Sequence, residues 1–165
     1  SYYMNYSGTG RTNYFHVTDE EKYNILAKGL SGENVEFFEE PNSPTIHGFA
    51  CDNGINYYRS ISQIGLDEFL EVDEDTGAYK PVFDEDHNEI DIKDIDKYDK
   101  IYNEDGDEIF DRFEDDDSFD TFVSELQKIL PDDEVVVYME IGAEGYRYVT
   151  GYALVASNKR VEYVR

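Results

Sequence analysis

Between Asp67 and Asp120 the chain carries 24 carboxylates against five Lys and Arg side chains, a net charge of −19 in 54 residues. The other 111 residues hold only −6 of the total of −25. A block this acidic resists compaction through self-repulsion, and composition of that kind leans towards disorder. What permits a fold is the regular interleaving of Tyr, Phe and Ile through the same block. The whole chain has 15 Tyr and 10 Phe, which bury large areas and supply a core. The sequence therefore reads as a folded protein displaying a concentrated negative surface. That surface repels nucleic acid and anionic membranes and attracts basic partners.

A length of 165 residues fits one compact domain, organised in three parts: residues 1–66, an acidic segment 67–117, and 118–165. No apolar run approaches the length of a membrane span, and no signal-peptide pattern is present. Met4-Asn5-Tyr6 reads as a natural start after Ser1 to Tyr3. Cys51 is the single cysteine, so no internal disulfide forms, which fits a reducing compartment.

Along the chain, Arg11 to Val17 reads as a strand, with the glycine-rich Ser7-Gly8-Thr9-Gly10-Arg11 as a flexible lead-in to it. Thr18-Asp19-Glu20-Glu21 reads as a helix start capped by Thr18, the helix running to about Leu30. Val35 to Glu39 is a strand, and Pro41-Asn42-Ser43-Pro44 a loop. Asp52-Asn53-Gly54 between the aromatic runs Ile46–Cys51 and Ile55–Ile61 predicts a hairpin. Ser118 caps a second helix bearing Phe119, Phe122, Val123, Leu126, Ile129 and Leu130 at helical spacing, stopped by Pro131. Glu134–Ile141, Tyr146–Ala156 and Arg160–Val164 read as three closing strands. The expected fold is α+β: a mainly antiparallel sheet with two helices and an insertion of acidic β-hairpins.

The acidic segment repeats itself. Val82-Phe83-Asp84-Glu85-Asp86-His87-Asn88-Glu89-Ile90 returns as Ile101-Tyr102-Asn103-Glu104-Asp105-Gly106-Asp107-Glu108-Ile109, with a looser version at Leu70 to Tyr79. Apolar pair, polar turn-forming run, apolar residue is the pattern of short strand–turn units with acidic tips. Asp91 to Lys100, alternating Ile and Tyr with charge, reads as a strand edge or a connector.

None of these loops completes an EF-hand. From Asp84, the positions for the turn glycine and the final bidentate ligand are Glu89 and Ile95, and the other two units misplace their glycine or ligands. Three scattered His and one Cys make no zinc set. Cys51 and His47, four apart on one strand face, are the only nucleophile–base candidates, and no orienting group or oxyanion loop accompanies them. No phosphate loop or dinucleotide fingerprint is present, so no cofactor and no enzyme activity is expected. With 14 basic residues against 39 acidic ones, direct nucleic-acid binding is disfavoured.

The remaining use for such a field is imitation of nucleic acid. A duplex presents one charge per roughly 1.7 Å of axis, and carboxylates fixed on ordered hairpins would occupy Lys and Arg groups that otherwise bind phosphate. The residues assigned that role are Asp73, Glu74, Asp75, Asp84, Glu85, Asp86, Asp105, Asp107, Glu108, Asp115, Asp116 and Asp117. Tyr79, Phe83, Tyr98, Tyr102 and Phe110 would be apolar anchors. The competing reading is an immunity protein or adaptor for a basic toxin or other basic protein, or a cation-binding acidic module.

Gly10-Arg11-Thr12-Asn13-Tyr14-Phe15 with Val17, and Gly142-Ala143-Glu144-Gly145-Tyr146-Arg147-Tyr148 through Gly151-Tyr152-Ala153, resemble a family of small acidic proteins from plasmids, phages and conjugative elements of Gram-positive bacteria. In size and charge the chain is also similar to DNA-mimic antirestriction and anti-CRISPR proteins. That likeness implies a non-enzymatic inhibitor whose partner is a nucleic-acid-binding nuclease or effector in the bacterial cytoplasm.

Overall fold

The structure, a computed structural model, describes residues 8–40, 43–114, 118–144 and 148–164. In chain order its elements are β1 (Gly8–Thr12), β2 (Phe15–His16), α1 (Glu20–Lys28), β3 (Leu30–Glu40), β4 (Ser43–Tyr57), α2 (Ile61–Ile64), β5 (Lys100–Tyr102), β6 (Glu108–Asp111), α3 (Phe119–Gln127), β7 (Val136–Glu144), β8 (Tyr148–Ala156) and β9 (Val161–Val164). Among the described residues, 3-10 turns lie at Leu66–Glu68 and Ile92–Lys97. The fold is α+β with antiparallel sheets. It divides into two compact units: residues up to Tyr57 together with those from Ser118 onward, and Tyr58 to Asp117.

The first unit is a seven-stranded sheet in the order β2-β4-β1-β7-β8-β9, with β3 also paired to β4. The pattern of its helices explains their placement. Asp19 Oδ1 caps α1 by accepting from Lys22 N, Glu20 and Glu21 occupy the positive first turn, and Lys28 the last. Tyr23 and Leu26 of α1, and Phe122, Val123 and Leu126 of α3, are buried in one cluster with Phe15, Phe49, Tyr57, Tyr138 and Leu154. Phe122 meets Phe49 and Tyr57 edge-on, at centroid distances of 5.7 and 5.4 Å.

Several local expectations are corrected. Thr18 is not the cap of α1, because its N–H and hydroxyl both donate to the Ile129 carbonyl. Gly8 to Gly10 is no lead-in but part of β1, a central strand between β4 and β7. Asn53-Gly54 makes no hairpin: β4 runs through it, Asp52 pairing with Glu33 and Ile55 with Gly32, so the pair forms a bulge that Gly54 accommodates at φ +88°. The long β3 partner outweighs the local turn signal. Residues beyond Tyr57 leave the sheet, because Ser60 and Gln63 form a reciprocal capping box that starts α2. Of the expected loop Pro41 to Pro44, Ser43 and Pro44 instead open β4, and Gly142 to Glu144, expected as a turn with Gly145 between two closing strands, belong to β7; Pro41, Asn42 and Gly145 lie outside the described residues.

The second unit has its own core of Ile61, Leu70, Val82, Ile90, Ile95, Ile101 and Phe110. Only one of the three acidic repeats is a true two-strand ladder, β5 with β6. The other two close on single bridges, Val72 with Tyr79 and Phe83 with Glu89. Phe83 also bridges Tyr102 antiparallel, with reciprocal N–H to carbonyl bonds of 2.8 Å each way. The second and third repeats therefore lie side by side, with Val82, Ile90, Ile101 and Phe110 inward. Asp91 to Lys100 is largely a 3-10 turn capped by Asp91 rather than a strand edge. Among the described residues no helix is long and apolar enough to cross a membrane.

Candidate acidic interface

The repeats build their tips in one way. Asp84 Oδ1 accepts from the N–H groups of Asp86 and Asn88, and Asn103 Oδ1 from those of Asp105 and Asp107, all at 2.9 Å. The carbonyls of Asp84 and Asn103 accept from His87 and Gly106, three residues on. His87 and Gly106 then turn the chain at φ +64° and +82°. This is a three-residue hairpin loop closed by a left-handed residue, with an Asx side chain satisfying its open N–H groups. His87 is tolerated where the sister loop has glycine, its ring stacking on Phe83 at 4.4 Å. The first repeat is one residue longer, with Asp73 Oδ1 accepting from Asp75 N and the Asp73 carbonyl from Gly77 N.

This geometry sorts the twelve candidate residues. Asp73 and Asp84 each commit one carboxylate oxygen to their own loop, whereas Glu74, Asp75, Glu85, Asp86, Asp105, Asp107 and Glu108 are exposed. Asp115, Asp116 and Asp117 lie outside the described residues. The exposed groups do not form one row. Because Phe83 and Tyr102 pair antiparallel, the Asp84–Asn88 and Asn103–Asp107 tips project from opposite ends of the small sheet. At about 3.3 Å per residue the two tips stand on the order of 15 Å apart.

Each tip borders a cleft. Asp84, Glu85 and Asp86 line one of about 380 Å³ with Lys97, Tyr98, Asp99, Lys100 and Phe113. Asn103, Glu104 and Asp105 line a smaller one of about 180 Å³ with Phe69, Glu71, Lys80 and Val82. Two of the unit's lysines reach carboxylates that line these clefts: Lys80 Nζ lies 3.0 Å from Glu71 and Lys100 Nζ 4.0 Å from Glu85. The hydrogen bond to Glu71 holds the Lys80 ammonium above its ordinary pKa, and the hydrogen bond to Asp67 does the same for the Tyr79 phenol.

Of the expected anchors, Phe110 is buried in the core, and Tyr79 gives its hydroxyl to Asp67 at 2.6 Å. Phe83, Tyr98 and Tyr102 are partly exposed. The sequence reading missed two residues. Phe113 is 48% exposed beside the larger cleft. Arg112 has a side chain that is 0% exposed, its Nε donating to the Tyr58 carbonyl at 3.1 Å and its Nη1 3.8 Å from Asp99 Oδ1. It is the single arginine among the five basic residues of Asp67–Asp120, the others being lysines, and that was the legible signal.

The Cys51–His47 pair is not assembled. The two lie on one face of β4 about 13 Å apart at the strand rise, and each has another partner. His47 Nε2 sits 2.7 and 3.0 Å from the Glu20 carboxylate oxygens and its ring stacks on Tyr23. Cys51 Sγ is 3.2 Å from the Tyr138 hydroxyl, and burial pushes its thiol above the ordinary pKa, which disfavours the thiolate. Among the described residues no group of three or more His, Cys, Asp or Glu side chains gathers as a metal site.

The opening Gly10 to Phe15 motif has structural duties. A Cβ on Gly10 would fall on the Tyr138 hydroxyl. Thr12 Oγ1 accepts from Phe49 N at 3.0 Å where β1 gives way to β2. Asn13 accepts from Val137 N at 2.7 Å and donates to the Val135 carbonyl at 2.9 Å. No protein-family model, curated protein or solved structure matches the chain.

Proposed function

We propose that the protein is an acidic inhibitor whose second unit imitates nucleic acid and occupies the nucleic-acid channel of a bacterial defence nuclease, of the antirestriction or anti-CRISPR type, in the cytoplasm. The observation that carries this reading is the segregation of charge onto a unit with its own apolar core, its acidic tips held by side-chain to backbone hydrogen bonds. Tips whose backbone is held in this way lose little main-chain freedom on meeting a row of Lys and Arg, and the pairing of their carboxylates releases counterions as phosphate pairing does. In this reading the three turn units form an acidic display inserted in the sheet-bearing fold, and the mobile-element likeness of its terminal motifs points to the same setting.

The test is binding to a DNA-free defence nuclease across a salt series, with duplex DNA as competitor. Affinity should fall steeply with salt, DNA should displace the protein, and reversing the charges of Asp84, Glu85, Asp86, Asp105, Asp107 and Glu108 should abolish binding. Salt-insensitive binding, or binding indifferent to that reversal, sinks the proposal. A second reading, an immunity or adaptor protein for a basic partner, shares the same segregated charge. It predicts the same salt dependence without displacement by DNA.

A further inference from the structure

The larger cleft of the acidic unit pairs an aromatic wall with a carboxylate rim. Phe113 is half-exposed but well held: its N–H donates to Asp111 Oδ1 at 3.0 Å, and its ring meets Tyr58 edge-to-face at 5.1 Å. The preceding residue, Arg112, is buried, and its N–H donates to the Asp99 carbonyl at 2.8 Å. Tyr98, partly exposed, lines the same cleft. A large aromatic kept at the surface of a strongly anionic unit and immobilised there is a preorganised contact.

The charge on the rim selects the occupant. Four carboxylates, Asp84, Glu85, Asp86 and Asp99, line the cleft against two lysines, Lys97 and Lys100. Lys97 is drawn to Asp94 at 3.2 Å, Lys100 reaches Glu85 only at 4.0 Å, and Glu85 and Asp86 are exposed. A neutral apolar side chain would shield these carboxylates from water and an acidic one would be repelled. A cation satisfies both rim and wall. Between the two natural cations, an ammonium is compact and strongly hydrated. A guanidinium is planar and weakly hydrated, stacks on aromatic rings and bonds carboxylates through two parallel N–H groups. Arg11 over the Phe38 ring, 5.0 Å from its centroid, is the same pairing elsewhere in this chain.

We infer that this cleft receives an arginine side chain of the basic partner, its guanidinium stacked on Phe113 and bonded to Asp86 and Glu85. This deepens the proposed function and rests on it: the acidic display would bind any basic surface, and the Phe113 cleft would add preference for arginine over lysine.

The experiment measures binding of octa-arginine and octa-lysine peptides to the full chain at matched salt, by fluorescence anisotropy, for the wild type and for Phe113→Leu, Asp86→Asn and Asp75→Asn. The wild type should bind octa-arginine at least fivefold more tightly. Phe113→Leu should bring the two peptides level and leave the salt dependence unchanged. Asp86→Asn should weaken octa-arginine binding several-fold more than Asp75→Asn, which removes the same charge from another tip. Equal affinity of the wild type for both peptides, or an arginine preference that survives Phe113→Leu, overturns the cleft while leaving the acidic display standing. Failure to bind either peptide overturns both. Unchanged backbone amide spectra of each variant show that its fold is intact.

Discussion

Arg112 is where the acidic unit is most exposed to perturbation, and replacing it with alanine tests how that unit is held. The guanidinium is fully buried, and the Asp99 Oδ1 facing it is buried too, but at 3.8 Å it is beyond hydrogen-bond distance and the rest of that carboxylate meets water. The larger part of the loss comes from elsewhere. Alanine leaves the Tyr58 carbonyl without the 3.1 Å bond from Nε, costing about 1–3 kcal/mol, and removes the packed aliphatic stem, costing about 1–2 kcal/mol more. A total of about 3 kcal/mol is close to the whole stability expected of a 60-residue unit, roughly 3–9 kcal/mol. Hydrogen exchange read by mass spectrometry should therefore show peptides from residues 58–114 losing protection while those of the seven-stranded sheet keep theirs. Arg112→Leu, which restores apolar volume, should lose about half as much, and Asp99→Asn alone less than 1 kcal/mol, as befits a half-exposed partner. A destabilisation by Arg112→Ala below about 1 kcal/mol, or one spread evenly over both units, would refute this account of the buried arginine.

Three further outcomes are expected. Gly106→Ala should cost about 1 kcal/mol in urea unfolding from backbone strain alone, since the new methyl meets nothing within 4 Å but the residue stays at φ +82°. Gly10→Ala should cost about 2–3 kcal/mol by overpacking, because Tyr138 is wedged against Phe49 and Phe119 and cannot yield, and adding Tyr138→Leu should recover part of the loss. The buried Cys51 thiol, raised by desolvation, should resist alkylation at pH 8 in the native state and react on unfolding. Its folded pKa lies above the ordinary 9.0, so the stability it contributes is complete below pH 9.0 and declines as pH rises towards the native value. Cys51→Ala should flatten that alkaline decline in a urea-midpoint series.

What the sequence made legible follows its periodicities. The apolar spacing from Phe122 to Leu126 buries one face of α3, and the β-branched runs of β7 to β9 pair antiparallel. The repeat was legible too, because an Asx residue followed two and four positions later by further turn formers specifies its own loop hydrogen bonds. Local turn chemistry misled where a long partner strand overrode it, as at Asn53-Gly54, where β3 pairs on both sides of the bulge. Gly10 was read as looseness when its function is to admit the Tyr138 ring, a contact 128 positions away that no local pattern encodes. In the candidate interface the identity of the acidic residues was readable, but not their direction. That is set by the antiparallel Phe83–Tyr102 bridge, which joins two repeats across the 3-10 turn at Ile92–Lys97.

That bridge bears directly on how the proposed mimicry would work. A single row of carboxylates would match one strand of phosphates. Two acidic tips on the order of 15 Å apart, with Phe83 and Tyr102 between them, instead match two lines of phosphate flanking a groove, which in the duplex is about 12 Å wide on its major side. A channel that grips both backbones would then meet carboxylates at both of its basic walls. The strip between them bears partly buried aromatic rings where base edges would lie. Reversing charge at the Asp84–Asp86 tip alone should therefore remove about half of the salt dependence of binding rather than all of it, because each tip releases its own counterions. A partner that reads only one basic wall would lose all of it to one reversal and none to the other.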